Sequence, residues 1–195
     1  MEYLYRTNPV RRTFLLWVGF QLLLWSVFLV SFLTHPGAWQ NVPAVPSGSG
    51  AEGSFVATLV YILGRNLVVC LLIVVGNIFL RFGWFTPGLA ILFFQGLTIG
   101  WMAGSNGFEV PFATVAAANL QYLRIGLWET TAYAVACGVT LKKSLFMARS
   151  FPAKTWDEQR SWSDLTWEPG EKALLLVGSL ALLVAAIIEA WFLVS

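Results

Sequence analysis

Residues 95–107 read QGLTIGWMAGSNG, an apolar stretch in which glycine recurs at every fourth position from 96 to 104. Residues four apart lie on nearly the same face of an α-helix, so these glycines form a smooth ridge. In water each would weaken a helix by about 1 kcal/mol relative to alanine. In a bilayer this penalty is smaller, because the backbone has no water to bond with, and glycine lets two helices approach closely. The spacing therefore predicts a membrane-embedded helix that packs through a ridge of Gly88, Gly96, Gly100 and Gly104. Gly126, on the next predicted span, is also expected to be a helix-packing residue.

The composition of the whole chain supports a membrane location. Of its 195 residues, 57% are hydrophobic and only 11% are charged, whereas soluble domains are about 45–50% apolar and about 25% charged. Several apolar runs approach or exceed the roughly 20 residues that a helix needs to cross a bilayer. We therefore predict an all-α fold, a polytopic transmembrane helical bundle that forms a single membrane domain. The net charge of +2 gives no support for nucleic-acid binding.

The apolar runs predict about five spans, at residues 13–33, 60–80, 87–104, 122–141 and 173–194. Proline, glycine and serine make residues 35–53 typical of an external loop. Residues 55–66 and 112–123 are apolar but contain or adjoin an arginine, and three alternatives stay open for each segment: an interfacial helix, a re-entrant helix or part of a span. The bundle is thus expected to carry one or two interfacial or re-entrant helices besides its spans.

The most polar stretch, residues 142–172, is predicted to be a cytoplasmic segment at the membrane interface. It contains Trp156, Trp162 and Trp167, and tryptophan is enriched at membrane surfaces. Thr155 and Glu158 have the spacing of a capping box, in which each side chain bonds the other residue's backbone N–H. This spacing predicts that a short helix begins there.

The distribution of lysine and arginine predicts the orientation in the membrane. If the N-terminus is cytoplasmic, ten of the twelve basic residues fall on cytoplasmic segments: residues 6, 11, 12, 81, 142, 143, 149, 154, 160 and 172. The positive-inside rule therefore places the N-terminus in the cytoplasm and the C-terminus outside. Arg65 and Arg124 are the two exceptions.

Six polar or charged side chains in or beside the spans form a predicted intramembrane cluster: Arg65, Asn66, Gln95, Arg124, Glu129 and Glu189. Such residues are costly in lipid and usually face a partner or a cavity. Three explanations stay open: ion pairs that lock the spans, a substrate or ion path, and side chains that extend to the interface. We expect Glu129 to pair with Arg65 or Arg124. Arg65 is favoured because Arg124 lies five residues away, about 140° around the same helix.

Catalytic motifs are not apparent. The only histidine is His35, and neither a metalloprotease motif, a nucleophile elbow nor a phosphate-binding glycine loop followed by lysine is present. The cysteines, Cys70 and Cys137, fall inside predicted spans without metal-ligand spacing, so we interpret them as packing residues. We therefore predict a protein that is not an enzyme and has no cofactor or metal.

Four short motifs resemble the stage II sporulation protein M family: RN at 65–66, QGLTIG at 95–100, GLWE at 126–129 and ACG at 136–138. The resemblance covers roughly residues 60–145. Asn66 matches the second member of the family's asparagine pair. Gly96 and Gly100 match its middle motif, and Gly126 and Glu129 match its last. The sequence departs from the pattern at three positions, with Arg65 and Gln95 in place of asparagines and Ile125 in place of a histidine.

The resemblance implies a multi-pass protein of the bacterial cytoplasmic membrane without catalytic activity. Such proteins hold cell-wall hydrolases together, and relatives look like membrane subunits that accompany an ABC-type ATPase. Two functions are therefore considered. The first is a scaffold or membrane subunit that binds other membrane or peripheral proteins. Such a subunit could also form a homo-oligomer through the glycine ridge. The second is a transporter permease whose residues 142–171 dock the ATPase.

The topology can be tested with a cysteine introduced at Ser47 in the predicted external loop. We expect a membrane-impermeant maleimide to label Ser47→Cys in intact cells, and to label Lys154→Cys only after lysis. The parent chain, whose two cysteines lie in predicted spans, gives the background. Labelling of Ser47→Cys only after lysis would invert the orientation.

Overall fold

The computed structural model describes residues 2–40, 42, 54–150 and 154–194 and is about 75% helical. Its helices are α1 (Glu2–Arg6), α2 (Pro9–Thr34), α3 (Phe55–Phe79), α4 (Pro87–Gly104), α5 (Val115–Gln121), α6 (Leu127–Thr140) and α7 (Pro169–Val194). Its strands are β1 (Leu80–Phe82), β2 (Phe146–Ala148) and β3 (Trp156–Glu158). A π-helical turn, Tyr122–Gly126, joins α5 to α6, and most of the predicted external loop lies outside the described residues.

The predicted all-α membrane fold is confirmed. Four helices, α2, α3, α4 and α7, are long and apolar enough to cross a bilayer, with mean hydropathies of 2.0, 2.3, 1.3 and 2.5 over their most apolar windows. The predicted span at 122–141 differs from these four. It corresponds to the π-helical turn and α6, and α6 has only 14 residues. Five membrane crossings therefore stay a prediction, although five main helices build the bundle.

Helix α6 lies in the centre of the bundle. Every residue from Ala132 to Leu141 is buried, and α6 packs against α2, α3, α4 and α7. Those four apolar helices pack against one another in the order α2, α4, α3 and α7, with a smaller contact between α7 and α2. They therefore bury the second half of α6, whereas its first turn is partly exposed, with Trp128 at the surface and Glu129 half-buried.

The structure settles how two ambiguous segments fold. Residues 55–66 are continuous with the following apolar run in the 25-residue helix α3, so Arg65 and Asn66 lie within a helix rather than at a break. Residues 115–140 also form one uninterrupted helical segment, through α5, the π-helical turn and α6. Neither segment is a separate helix lying across the bundle.

Contacts between helix termini define two ends of the bundle. At one end, Arg12 near the start of α2 donates to the Gly138 carbonyl near the end of α6 and lies 3.8 Å from Glu171 near the start of α7. We call this the basic end, because Arg12, Arg81, Lys142 and Lys143 lie there.

At the opposite end, Trp39 donates to the Gly104 carbonyl at 2.8 Å. That the basic end faces the cytoplasm stays a prediction.

The predicted helix at Thr155 is wrong. Residues Trp156–Glu158 instead form β3, which pairs antiparallel with β2, and β2 pairs parallel with β1. The Trp156 ring packs edge-on against Phe79 and Phe146 at centroid distances of 6.3 and 6.0 Å. Pairing with β2 and this aromatic contact override the local capping signal, and a capping box forms farther along, at Ser161–Asp164.

The glycine ridge of α4 contacts two different helices. A methyl group on Gly100 or Gly104 would overlap the backbone carbonyls of Leu24 or Phe28 in α2, and Gly96 lies against side chains of the same helix. Gly88 instead lies against the Ile73 carbonyl of α3. The ridge thus joins α4 to two neighbours within the chain.

Gly126 differs from the ridge, because its nearest neighbour is the Tyr122 ring one turn earlier in the same helical segment.

We expect Gly100→Leu to destabilise the bundle, because the added side chain must push α2 away from α4. Overpacking of this kind costs about 1–3 kcal/mol, so the midpoint of thermal unfolding in detergent should fall. Gly64→Leu is the matched control, since Gly64 is an exposed helical glycine with open space around its Cβ position. Equal melting of the two variants would contradict close packing at Gly100.

Candidate functional site

A chain of hydrogen bonds joins α3 to α6 inside the bundle. The Asn66 side-chain amide donates to Glu129 Oε1, and the Tyr133 hydroxyl donates to Asn66 Oδ1 at 2.7 Å. Asn66 and Tyr133 are only 2% and 4% exposed, and Glu129 is half-buried. We call these three residues the amide–carboxylate cluster. Both hydrogen-bonding groups of the Asn66 amide are used, so its side chain is held in one orientation.

The expected ion pair of Glu129 does not form. Among the described residues, no arginine or lysine nitrogen lies within 4 Å of its carboxylate, which bonds to neutral Asn66 instead. Arg65 is exposed and affects Glu129 only through longer-range electrostatics. Arg124 is also exposed, with its guanidinium carbon 5.5 Å from the centroid of the Phe192 ring. Both arginines extend outward because α3 and the π-helical turn direct them away from the buried faces.

Two other predicted cluster residues have different surroundings. Glu189 on α7 is half-buried and lies within electrostatic range of Glu129. Gln95 is half-buried on α4, and its side chain makes no hydrogen bond with a described residue. The structure therefore brings Asn66, Glu129 and Glu189 together, with Arg65 at the edge, and leaves Gln95 and Arg124 apart.

A second polar contact lies on the side of α6 that faces α2. The Tyr122 hydroxyl in the π-helical turn donates to Gln21 Oε1 at 2.7 Å, and Gln21 Nε2 donates to Thr130 Oγ1 at 3.3 Å. Trp17 donates to Thr131 Oγ1 at 3.0 Å. Gln21 was not among the predicted site residues. Its isolated amide in the apolar run 13–33 was the signal that could have identified it.

A third polar contact is centred on Asn77 near the basic end. Its amide donates to Thr140 Oγ1 at 2.9 Å and to the Cys137 carbonyl at 3.2 Å, and it accepts from Thr86 at 2.5 Å. Asn77 follows Asn66 by eleven residues, or three helical turns, so both face α6. That spacing was a sequence signal for this contact.

A network of buried charged side chains lies at the basic end. Lys143 Nζ lies 2.7 Å from Glu171 Oε2 and donates to the Thr166 carbonyl, and Arg12 lies on the other side of Glu171. All three side chains are less than 8% exposed. Beside them, burial and then the charge of Arg12 lower the pKa of Lys142, which donates to the Thr7 carbonyl at 2.9 Å. In the sequence these residues resembled ordinary interfacial charges, so the buried network was missed.

The chemistry available in these contacts is hydrogen bonding and charge compensation. In the described part of the chain, no group of three or more His, Cys, Asp or Glu residues is placed to hold a metal ion. A groove of about 560 Å³ between α2 and α4 is lined by apolar residues such as Val30 and Leu97 and opens to the outside of the bundle. No family model matches the chain, and no curated protein or solved structure is significantly similar to it.

We expect Asn66→Leu to lower the free energy of unfolding by about 1–3 kcal/mol, because it removes a partner from both Glu129 and Tyr133. Glu129→Gln should be far milder, since the glutamine carbonyl can still accept from Asn66. Thermal unfolding in detergent measures both effects. Asn119→Leu is the matched control, because the Asn119 side chain makes no hydrogen bond with a described residue. Equal destabilisation by the two leucine variants would refute the role assigned to Asn66.

Charge reversal provides a further test of the amide–carboxylate cluster. Glu129→Arg should destabilise the bundle, and adding Arg65→Glu or Arg124→Glu should not restore stability, because neither arginine pairs with Glu129. Rescue by either second substitution would show that an ion pair forms in the membrane.

Proposed function

We propose that the chain is a non-enzymatic membrane subunit that holds other proteins in a complex, as its resemblance to the stage II sporulation protein M family implies. The observation that carries this proposal is the hydrogen bond from Asn66 to Glu129. These two residues belong to motifs more than sixty positions apart in the sequence. Their contact gives the motifs one shared structural role, which is to join α3 to the central helix.

The use of polar groups in the bundle supports a structural role. The amides of Asn66 and Asn77 and the threonines of α6 bond to neighbouring helices, and the described α2–α4 groove lies outside this polar core. A bundle fixed in this way presents large apolar faces outward. Those faces contact lipid, and within a complex they can also contact transmembrane helices of partner subunits.

In this proposal a peripheral partner protein binds to the surface at the basic end. Residues 142–150 and 154–172 fold against the bundle there, through the three-stranded sheet and the buried Lys143–Glu171 pair. A folded and anchored surface is suited to binding another protein without large ordering costs. In the scaffold proposal the bound partner is an enzyme that the membrane subunit positions.

A permease is the alternative function, and one arrangement favours it. Glu129 and Glu189 are half-buried neighbours without an arginine or lysine nitrogen within 4 Å in the described structure, and Arg65 lies nearby. Carboxylates inside a membrane protein often mark a substrate or ion path. In this alternative, residues 142–171 dock an ABC-type ATPase.

Purification of the tagged full-length chain in mild detergent tests the proposal. We expect a stable partner protein to co-purify in a fixed ratio, and a tagged membrane protein of similar size and expression level should not recover it. The chain alone, reconstituted in liposomes, should neither hydrolyse ATP nor move solutes. Failure to find any partner in a fixed ratio would contradict a subunit role.

The variant Glu189→Gln distinguishes the scaffold from the permease. A scaffold should keep both its partner and its cellular activity, because Glu189 makes no hydrogen bond or ion pair with a described residue. A permease that uses the carboxylate should keep the ATPase but lose transport. Co-purification of an ATPase together with loss of transport would therefore replace the scaffold proposal with the alternative.

A further inference from the structure

A pocket of about 420 Å³ lies at the basic end, where α3 ends and α4 begins. Its lining residues are Tyr5, Arg6, Arg81, Gly83 and Trp84. They come from α1, from β1 and from the turn that follows β1. This pocket is separate from the amide–carboxylate cluster, and the proposed function assigns it no ligand.

A tight backbone turn forms one wall of the pocket. Phe82 and Phe85 exchange two backbone hydrogen bonds, of 2.7 and 2.9 Å, so Gly83 and Trp84 form a two-residue turn. Gly83 has a φ of 58°, a left-handed conformation that glycine adopts without steric penalty. The Tyr5 hydroxyl donates to the Trp84 carbonyl at 3.1 Å, which fixes α1 against this turn.

The pocket is lined by two arginines, and none of its described lining residues is an aspartate or glutamate. The Arg81 guanidinium carbon lies 4.8 Å from the centroid of the Tyr5 ring, and Nη2 donates to the Met147 sulfur, a weak acceptor. No Asp or Glu oxygen in the described structure lies within 4 Å of Arg81. Arg81 thus retains donor capacity and charge that an anion would complement.

The position of the pocket between two apolar helices is typical of the membrane–water interface. It lies between the end of one apolar helix, Phe55–Phe79, and the start of the next, Pro87–Gly104. Trp84 is 52% exposed, and tryptophan and tyrosine are enriched at the level of lipid headgroups. The guanidinium of an interfacial arginine lies at the same level and can form bidentate hydrogen bonds with a phosphate group.

We propose that this pocket binds the phosphate group of an anionic phospholipid, with Arg6 and Arg81 compensating its charge. Trp84 lies beside the headgroup and its exposed indole contacts the first part of the acyl chains. Basic pockets beside transmembrane helices bind the headgroups of anionic lipids by this chemistry. A lipid is favoured over free phosphate because the exposed aromatic surface complements acyl chains as well as the headgroup.

Lipid titration of the purified full-length chain in detergent, followed by native mass spectrometry, tests the proposal. Phosphatidylglycerol should bind more tightly than phosphatidylcholine with the same acyl chains. Arg81→Gln and Arg6→Gln should each weaken phosphatidylglycerol binding about fivefold, which corresponds to roughly 1 kcal/mol per basic residue near an anionic surface. Arg6 is exposed, so Arg6→Gln keeps the test valid if Arg81→Gln lowers stability.

Lys172→Gln is the matched control, because Lys172 is an exposed cation at the same end of the bundle. It should leave phosphatidylglycerol binding unchanged. Equal weakening by Lys172→Gln, or equal binding of the two lipids, would overturn the proposal in favour of general charge attraction. Displacement of phosphatidylglycerol by inorganic phosphate, but not by chloride at the same ionic strength, would overturn it in favour of a soluble phosphate ligand.

Discussion

The requirement that polar groups in a bilayer be satisfied within the protein governs this fold. Helix α6 carries a carboxylate, a phenol and three threonines within fourteen residues, and each would be costly against lipid tails. The four apolar helices bury most of α6, including every residue from Ala132 to Leu141. They also supply the amides and hydroxyls that its side chains bond. The bundle is therefore organised around its most polar helix.

Directional contacts to α6 determine how its neighbours are placed. Gln21 joins α2 to Thr130, and Asn66 and Asn77 join α3 to α6 at two points three turns apart. Because lipid offers little hydrophobic drive for association between helices, such contacts and close packing must fix the register. Close packing is greatest where α4 meets α2, since Gly100 and Gly104 bring the two backbones together. Hydrogen bonds and glycine contacts also occur together, since Gly138 of α6 lies against Thr13 of α2 and the Ser31 hydroxyl of α2 donates to the Trp101 carbonyl of α4.

The sequence predicts the parts of this fold that depend on local composition. The apolar runs locate the long helices, Pro87 marks the start of α4, and the glycine spacing identifies a packing face. Which helix occupies the centre depends on long-range contacts, so the enclosure of α6 could not be predicted from a run of residues. The same limit applies to β3, whose strand is formed by pairing with β2, and to Glu129, whose partner Asn66 lies on another helix.

The two carboxylate sites differ in how they are neutralised, and this difference decides where function can be probed. Glu171 is buried between Arg12 and Lys143, and removal of one partner from a buried ion pair typically costs about 3–5 kcal/mol. A substitution there alters the fold before it alters any function. Glu189 is half-buried and lacks such a partner in the described structure. Replacing the Glu189 carboxylate with the neutral amide of glutamine should therefore disturb the bundle much less. A loss of activity at Glu189 can therefore be assigned to function, whereas the same loss at Glu171 cannot.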